Sequence, residues 1–162
     1  MQRVGEDEQV LLELACDYAG AEQWEDAIQV LHLWPGVAAG QPAHAMIYYH
    51  LAYCHDKLGH QAEALSTYAL AGEMDPDYVF PHRLEELDIL SRALAADPDN
   101  ARPLAYQGTL LYALRRKEEA LQAWRRSLEI EPRAVVHRNV GSMLWQDREE
   151  LGAAIRAASC IR

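Results

Sequence analysis

Residues 100–132 read NARPLAYQGTLLYALRRKEEALQAWRRSLEIEP, and this stretch decides the fold. It breaks into two helices around a tight turn. Leu104, Tyr106, Leu110, Leu111 and Leu114 recur at three- and four-residue steps in the first half. Ala120, Leu121, Trp124, Leu128 and Ile130 do so in the second. That spacing lines one helical face with apolar side chains. Neither helix buries such a face alone, so the hairpin needs neighbours on both sides.

The flanking sequence supplies them. Residues 6–20 form a helix with acids in its first turn, where the helix dipole favours them, and with Val10, Leu11, Leu14 and Tyr18 inward. A second helix runs from Gln23 to Leu33 with Ala27, Ile28 and Leu31 inward. Pro35, Gly36, Gly40 and Pro42 then make a connecting loop. Helices follow from about Ala43 to Leu58, stopped by a left-handed cap at Gly59, and from Gln61 to Met74, stopped by Asp75-Pro76-Asp77. A lone helix spans about His82–Ala96, with Leu84, Leu87, Leu90, Ala93 and Leu94 on one side. After the 100–132 hairpin come helices from about Ala134 to Gln146 and from Glu149 onward. No strand-like alternation persists, so the chain is all-α, with about nine helices.

Segments 34 residues apart align. Ala120, Trp124 and Pro132 follow Glu86, Leu90 and Pro98 at that interval, and Trp145 follows Leu111. A 34-residue helix-turn-helix period resembles the tetratricopeptide repeat. The unit from Ala45 carries the motif most fully, with Tyr48, Leu51, Ala52, Gly59, Ala64, Tyr68, Ala71 and Pro76, and with His55 in place of a Tyr. The unit from Glu8 has Leu11, Leu14, Ala15, Tyr18, Ala27 and Leu31. The unit from Ala101 has Leu104, Gly108, Ala120, Trp124 and Pro132, with Gln107 at the usual Leu. The resemblance implies a right-handed superhelical solenoid of antiparallel helix pairs. Its units fall at about 8–41, 45–78, 101–134 and a degenerate 135–162, with the lone helix 82–96 between. Small residues at motif positions 8 and 20 let paired helices cross closely, and large ones fill the space between. The array is irregular near 75–100, where Tyr78-Val79-Phe80-Pro81 replaces a first helix.

A second resemblance rests on Phe80-Pro81, on Arg83-Leu84-Glu85-Glu86-Leu87 and on His137-Arg138-Asn139-Val140-Gly141. These look like the C-terminal repeat region of large bacterial proteins that carry a carbohydrate-type β-sandwich domain first. It implies that the chain is one segment of a longer polypeptide and packs on a β domain absent here.

Composition narrows the function. The chain has 162 residues, half of them apolar, and a net charge of −10. Residues 1–100 carry −14 and residues 101–138 carry +4. An acidic body argues against nucleic acid and anionic membrane as ligands. No apolar run reaches the ~18 residues of a membrane span, and MQRVGEDE is no export signal, so a cytoplasmic location is expected. Cys16, Cys54 and Cys160 are too scattered for a disulfide framework and read as reduced, mostly buried thiols.

No catalytic motif is present: there is no GxSxG, glycine-rich phosphate loop or HExxH. The expected role is therefore a non-enzymatic scaffold that binds a protein or peptide, with no cofactor and no metal. His50 and Cys54 share a helix face beside His55, but no third and fourth ligand converge there, and His55 fills a core position. The repeat resemblance implies a groove lined by first helices. It assigns to that groove Met46, Tyr49, Tyr53, Asp56 and Lys57, then Arg102 and Tyr112, then Asn139 and Met143. Ala105, Thr109, Val136 and Gln146 share those positions. Tyr and Arg combine contact area with a hydrogen-bond donor, which suits a groove anchor. Tyr49 and Tyr53 have a second reading, packing against the irregular segment or the preceding helix. The carboxylate clamp of chaperone-binding relatives needs paired Lys and Asn, and only Arg102 and Asn139 are offered. The apolar register Leu151, Ala154, Ile155, Ala158 and Ile161 on the last helix suggests docking on a second copy or a neighbour. A third reading of the chain is a small-ligand sensor with its pocket near 75–100.

Overall fold

The computed structural model describes residues 4–34, 45–74, 79 and 81–159, with side chains from 9 to 149. Eight helices follow one another: α1 (Val4–Gly20), α2 (Trp24–His32), α3 (Ala45–Lys57), α4 (Gln61–Glu73), α5 (Glu86–Ala96), α6 (Ala101–Ala113), α7 (Lys117–Ile130) and α8 (Ala134–Ser159). There is no strand among the described residues. The Pro/Gly loop at 35–42, the Asp75-Pro76-Asp77 stop, Tyr78 and Phe80 lie outside the described residues, as do Cys160 and the side chains from 150 on.

Three hairpins, α1/α2, α3/α4 and α6/α7, hold most of the interhelical packing. The α6/α7 pair is antiparallel. The Trp124 indole N–H donates to the Ala105 carbonyl at 3.2 Å, and the buried Ser127 hydroxyl donates to the Ala101 carbonyl at 2.9 Å. Later residues of α7 thus meet earlier residues of α6. All six small motif positions are buried: Ala15, Ala27, Ala52, Ala64 and Ala120 by side chain, and Gly108 by its neighbours. A methyl group built on Gly108 would stand 2.3 Å from the Trp124 ring, so only glycine permits this crossing.

The three hairpin turns share a left-handed residue at one motif position: Glu22 (φ 59°), Gly59 (φ 78°) and Arg115 (φ 63°). Gly59 closes its helix as its sequence predicts, with the His60 N–H returning to the His55 carbonyl at 2.9 Å. Glu22 and Arg115 hold the same geometry with a side chain, at a cost of ~1 kcal/mol each.

Four sequence expectations need correction. The C-terminal segment forms one helix, α8, of 26 residues, instead of two that part near Gln146–Glu149. Gln146-Asp147-Arg148 contains no glycine or proline to break the ladder, and Asp147 meets Lys117 at 2.6 Å from within the continuous helix. The lone helix starts at Glu86 rather than His82. The Glu86 carboxylate turns back to accept the backbone N–H groups of His82 (2.7 Å) and Arg83 (2.8 Å), fixing a cap where a first turn was expected. On α1 Leu12, Ala15 and Cys16 are buried and the expected Leu11 and Tyr18 pack against the same cluster, while Val10 and Leu14 are exposed. Leu84, ahead of α5, is exposed as well.

Two apolar clusters result. One runs from Leu12 to Tyr106 and joins α1 through α6. The other gathers Leu111, Ala120, Ala123, Trp124, Val136 and Met143 between α6, α7 and α8.

Candidate partner-binding cleft

The helix α5 sets the geometry of the site. It touches α3 at three levels: Glu86 Oε1 lies 3.9 Å from His50 Nε2, the Tyr53 hydroxyl donates to Asp88 at 2.8 Å, and Arg92 donates to Asp56 at 2.5 Å. Numbers rise together along both helices, so α5 runs parallel to α3. Its apolar side, Ile89, Leu90 and Ala93, is buried in the larger cluster. This helix therefore occupies the face of α3 that the repeat resemblance assigns to a ligand.

Met46 and Tyr49 are fully buried, and the Tyr49 ring meets Tyr106 edge-on at 6.1 Å. Tyr49 thus takes the packed alternative, since α5 and α6 close over it. Tyr53 is half-buried: besides Asp88, it has Lys57 Nζ 4.9 Å from its ring centre, the Arg92 guanidinium at 5.6 Å and Trp24 edge-on at 6.0 Å. Burial and the Asp88 bond both push its hydroxyl up, so it stays a donor at any physiological pH. Asp56 is spent on Arg92 and also accepts from Gln61 at 3.0 Å. Arg102 is turned to the end of α4. Its guanidinium donates to the carbonyls of Gly72 and Met74 (2.6 Å), capping the open end of α4. Tyr112 donates to Gln146, joining α6 to α8. Met143 is buried in the smaller cluster, and Asn139 is half-buried on α8. These residues do not form one continuous open groove.

Open space lies elsewhere. A cleft of about 370 Å³ sits between α1, α2, α3 and α5. Its walls are Ala15, Cys16, Ala19 and Gly20 from α1 with its end, Trp24 and Leu31 from α2, His50, Tyr53 and Cys54 from α3, and Glu85 and Ile89 beside and on α5. Of the assigned groove residues only Tyr53 belongs to it. The rest went unnoticed because the cleft spans helices far apart in sequence. One signal was available: Ala15, Cys16, Ala19 and Gly20 form a stripe of small side chains along one side of α1, which leaves room instead of filling it.

The lining is mostly apolar, with a few polar groups converging. His50 is held by its Nδ1 on the Met46 carbonyl at 2.8 Å, which requires that nitrogen to carry the proton. The thiols of Cys16 and Cys54 are pushed up to about 12 by burial, so they stand there as small neutral groups and not as nucleophiles. No three His, Cys, Asp or Glu side chains among the described residues are placed to hold a metal ion. No helix there is long and apolar enough to cross a membrane.

No protein-family model matches the chain, and no curated protein does. Several solved structures resemble it in fold. The first tetratricopeptide domain of Spaghetti (RPAP3), bound to the HSP90 peptide SRMEEVD, is 16% identical, with 87% of this chain and 93% of that one covered and a TM-score of 0.39. A crystal structure of MamA is 18% identical over 86% of this chain and 68% of that one, with a TM-score of 0.40. MamA from Desulfovibrio magneticus RS-1 is 15% identical over 96% and 94%, with a TM-score of 0.38.

Proposed function

We propose that the array is a protein-interaction scaffold whose partner inserts an apolar side chain into the cleft between α1, α2, α3 and α5. The observation that carries this is the cleft itself, about 370 Å³ and lined by Trp24, Tyr53, Leu31 and Ile89. It lies at the small end of ligand pockets and accommodates one or two side chains rather than a long peptide. Hot-spot anchors seat in such desolvated pockets. The thiols are protonated, which favours binding over covalent chemistry.

The test is to fill the cleft from within. Ala19→Phe places a ring among the small residues of α1. Affinity capture from lysate, read by mass spectrometry, is run with wild type beside Ala19→Phe and Tyr112→Ala. The expected result is a near-stoichiometric partner with wild type and Tyr112→Ala, lost with Ala19→Phe while circular dichroism stays unchanged. A partner retained by folded Ala19→Phe moves the binding surface away from this cleft.

A further inference from the structure

His50, which lines the cleft, lies against a second buried ionisable side chain, Glu86 at the start of α5. Each is tied down at one polar atom. His50 Nδ1 donates to the Met46 carbonyl, and Glu86 Oε2 accepts the N–H groups of His82 and Arg83. The other carboxylate oxygen, Oε1, accepts no hydrogen bond among the described residues. It stands 3.9 Å from His50 Nε2, about 1 Å beyond hydrogen-bond length. A neutral imidazole with its proton on Nδ1 offers a lone pair at Nε2, and a carboxylate offers another at Oε1. Two acceptors set face to face in a low-dielectric interior repel. One proton between them reverses this. Whether Oε1–H donates to Nε2 or Nε2–H donates to Oε1, the pair gains a hydrogen bond. Burial favours that uptake, because it disfavours a bare carboxylate at Glu86.

From this geometry we infer that His50 and Glu86 form a proton-operated latch between α3 and α5. With one shared proton the pair closes and holds α5 on α3; without it, opposed lone pairs loosen α5 at that level. Both helices contribute walls to the cleft, so its shape is held at lower pH and loses that restraint as pH rises. The use of the latch rests on the cleft being the binding site, whereas the latch itself does not. Other ionisable groups surround the pair. The segment ahead of α5 brings His82, Arg83 and Glu85, with Arg83 bound to Glu85 at 3.1 Å. From α1 come Cys16 and Asp17, and from α3 itself Cys54. Further along, Tyr53 and Asp56 on α3 meet Asp88 and Arg92 on α5, with Tyr68 of α4 beside them, and Tyr106 of α6 lies on Tyr49. The cleft residues of α2, Trp24 and Leu31, do not ionise. His82 is the other imidazole of this group, so the test removes it.

The latch is read without any partner, in a His82→Asn parent that keeps the backbone N–H at that position. Amide hydrogen exchange at Ile89, Leu90 and Ala93 is followed from roughly pH 5.5 to 8, where a histidine pair exchanges its proton, and corrected for the intrinsic pH dependence of exchange. Leu110 and Trp124 in the α6/α7 hairpin serve as reference. Protection of α5 is expected to fall as pH rises, by at most about tenfold per pH unit, the limit for one proton, while the reference amides hold. Adding Glu86→Gln closes the latch for good. Its amide oxygen keeps the N–H groups of residues 82 and 83, and its NH2 donates to His50, so protection of α5 should no longer depend on pH. Nitrogen-15 shifts of the His50 ring give a second reading: Nδ1 keeps its proton at every pH, and Nε2 alone moves. Protection of α5 that is flat with pH in the parent, or that tracks the reference amides, overturns the inference. A His50 ring that titrates alike with Glu86 and with Gln at that position overturns it too. Should Glu86→Gln fail to fold, the parent's ring decides, and an Nε2 that does not move, or an Nδ1 that loses its proton, sinks the latch. A partner lost with Ala19→Phe while α5 exchange stays flat removes the latch and leaves the cleft its role.

Discussion

The helices α3 and α8 show how position in the array, more than composition, decides burial. Every residue from Ala45 to Ala52 on α3 is buried, including Tyr48, Tyr49 and His50. On α8, between Ala134 and Glu149, only Val136 and Met143 are. Both helices carry a mixture of apolar and polar side chains. The difference is that α2, α4 and α5 all pack on α3, while α7 is the main support for α8. An amphipathic stripe is enough for a helix with one neighbour. A helix with three must be apolar nearly all round, and its polar residues must find partners inside.

That contrast can be broken most directly at its most buried aromatic. Tyr49→Ala removes a ring packed between α3 and α6 and is expected to cost ~3–5 kcal/mol, read by chemical denaturation, whereas Trp145→Ala at 60% exposure is expected to shift stability by only ~0.5 kcal/mol. Comparable losses at the two sites would mean that α8 is covered in solution. Arg102→Ala comes next. It uncaps α4 by freeing the carbonyls of Gly72 and Met74 and is expected to cost ~1–3 kcal/mol, with faster amide exchange at the end of α4. If Arg102 instead serves only a ligand, stability is unchanged.

Glu86 sharpens the same comparison through pH. It is a fully buried carboxylate, and burial raises its pKa above the ordinary 4.5. A raised carboxyl pKa means that the folded state binds its proton more tightly than the unfolded chain. Its stabilising contribution is complete below 4.5 and is lost as pH rises through the folded value. Glu86→Gln should therefore gain stability relative to wild type as pH rises across that window, measured as a difference in Tm between acid and neutral pH. A constant difference would mean that His82 and Arg83, whose N–H groups the carboxylate accepts, hold it ionised throughout. The smallest effect concerns the turns. Arg115→Gly relieves a side chain from φ 63° and is expected to stabilise by ~0.5–1 kcal/mol, while Gly59→Ala at φ 78° should destabilise by a similar amount.

The assigned groove shows where sequence reading stops. The repeat resemblance put Tyr53 and Asp56 on one side of α3, where both meet α5, but did not say what would cover them. That depended on α5 running parallel to α3, which follows from how the segment before Glu86 crosses the array. Arg102 fits a groove by motif position, yet the end of α4 lies within its reach and takes its guanidinium. The cleft was invisible for the same reason, because Ala19, Trp24, His50 and Ile89 meet only in space.

The sequence by itself determined the helical hairpins, because close crossings need Ala15, Ala27, Ala52, Ala64, Gly108 and Ala120 at fixed offsets, and the chain writes that requirement locally. It also determined most helix ends, through caps and breakers a few residues long. Only the tertiary structure decided which apolar faces are covered, that α8 continues unbroken, and that α5 fills the face of α3 while leaving a cleft beside it. Those outcomes rest on contacts between segments tens of residues apart, and a local pattern carries no record of which neighbour arrives.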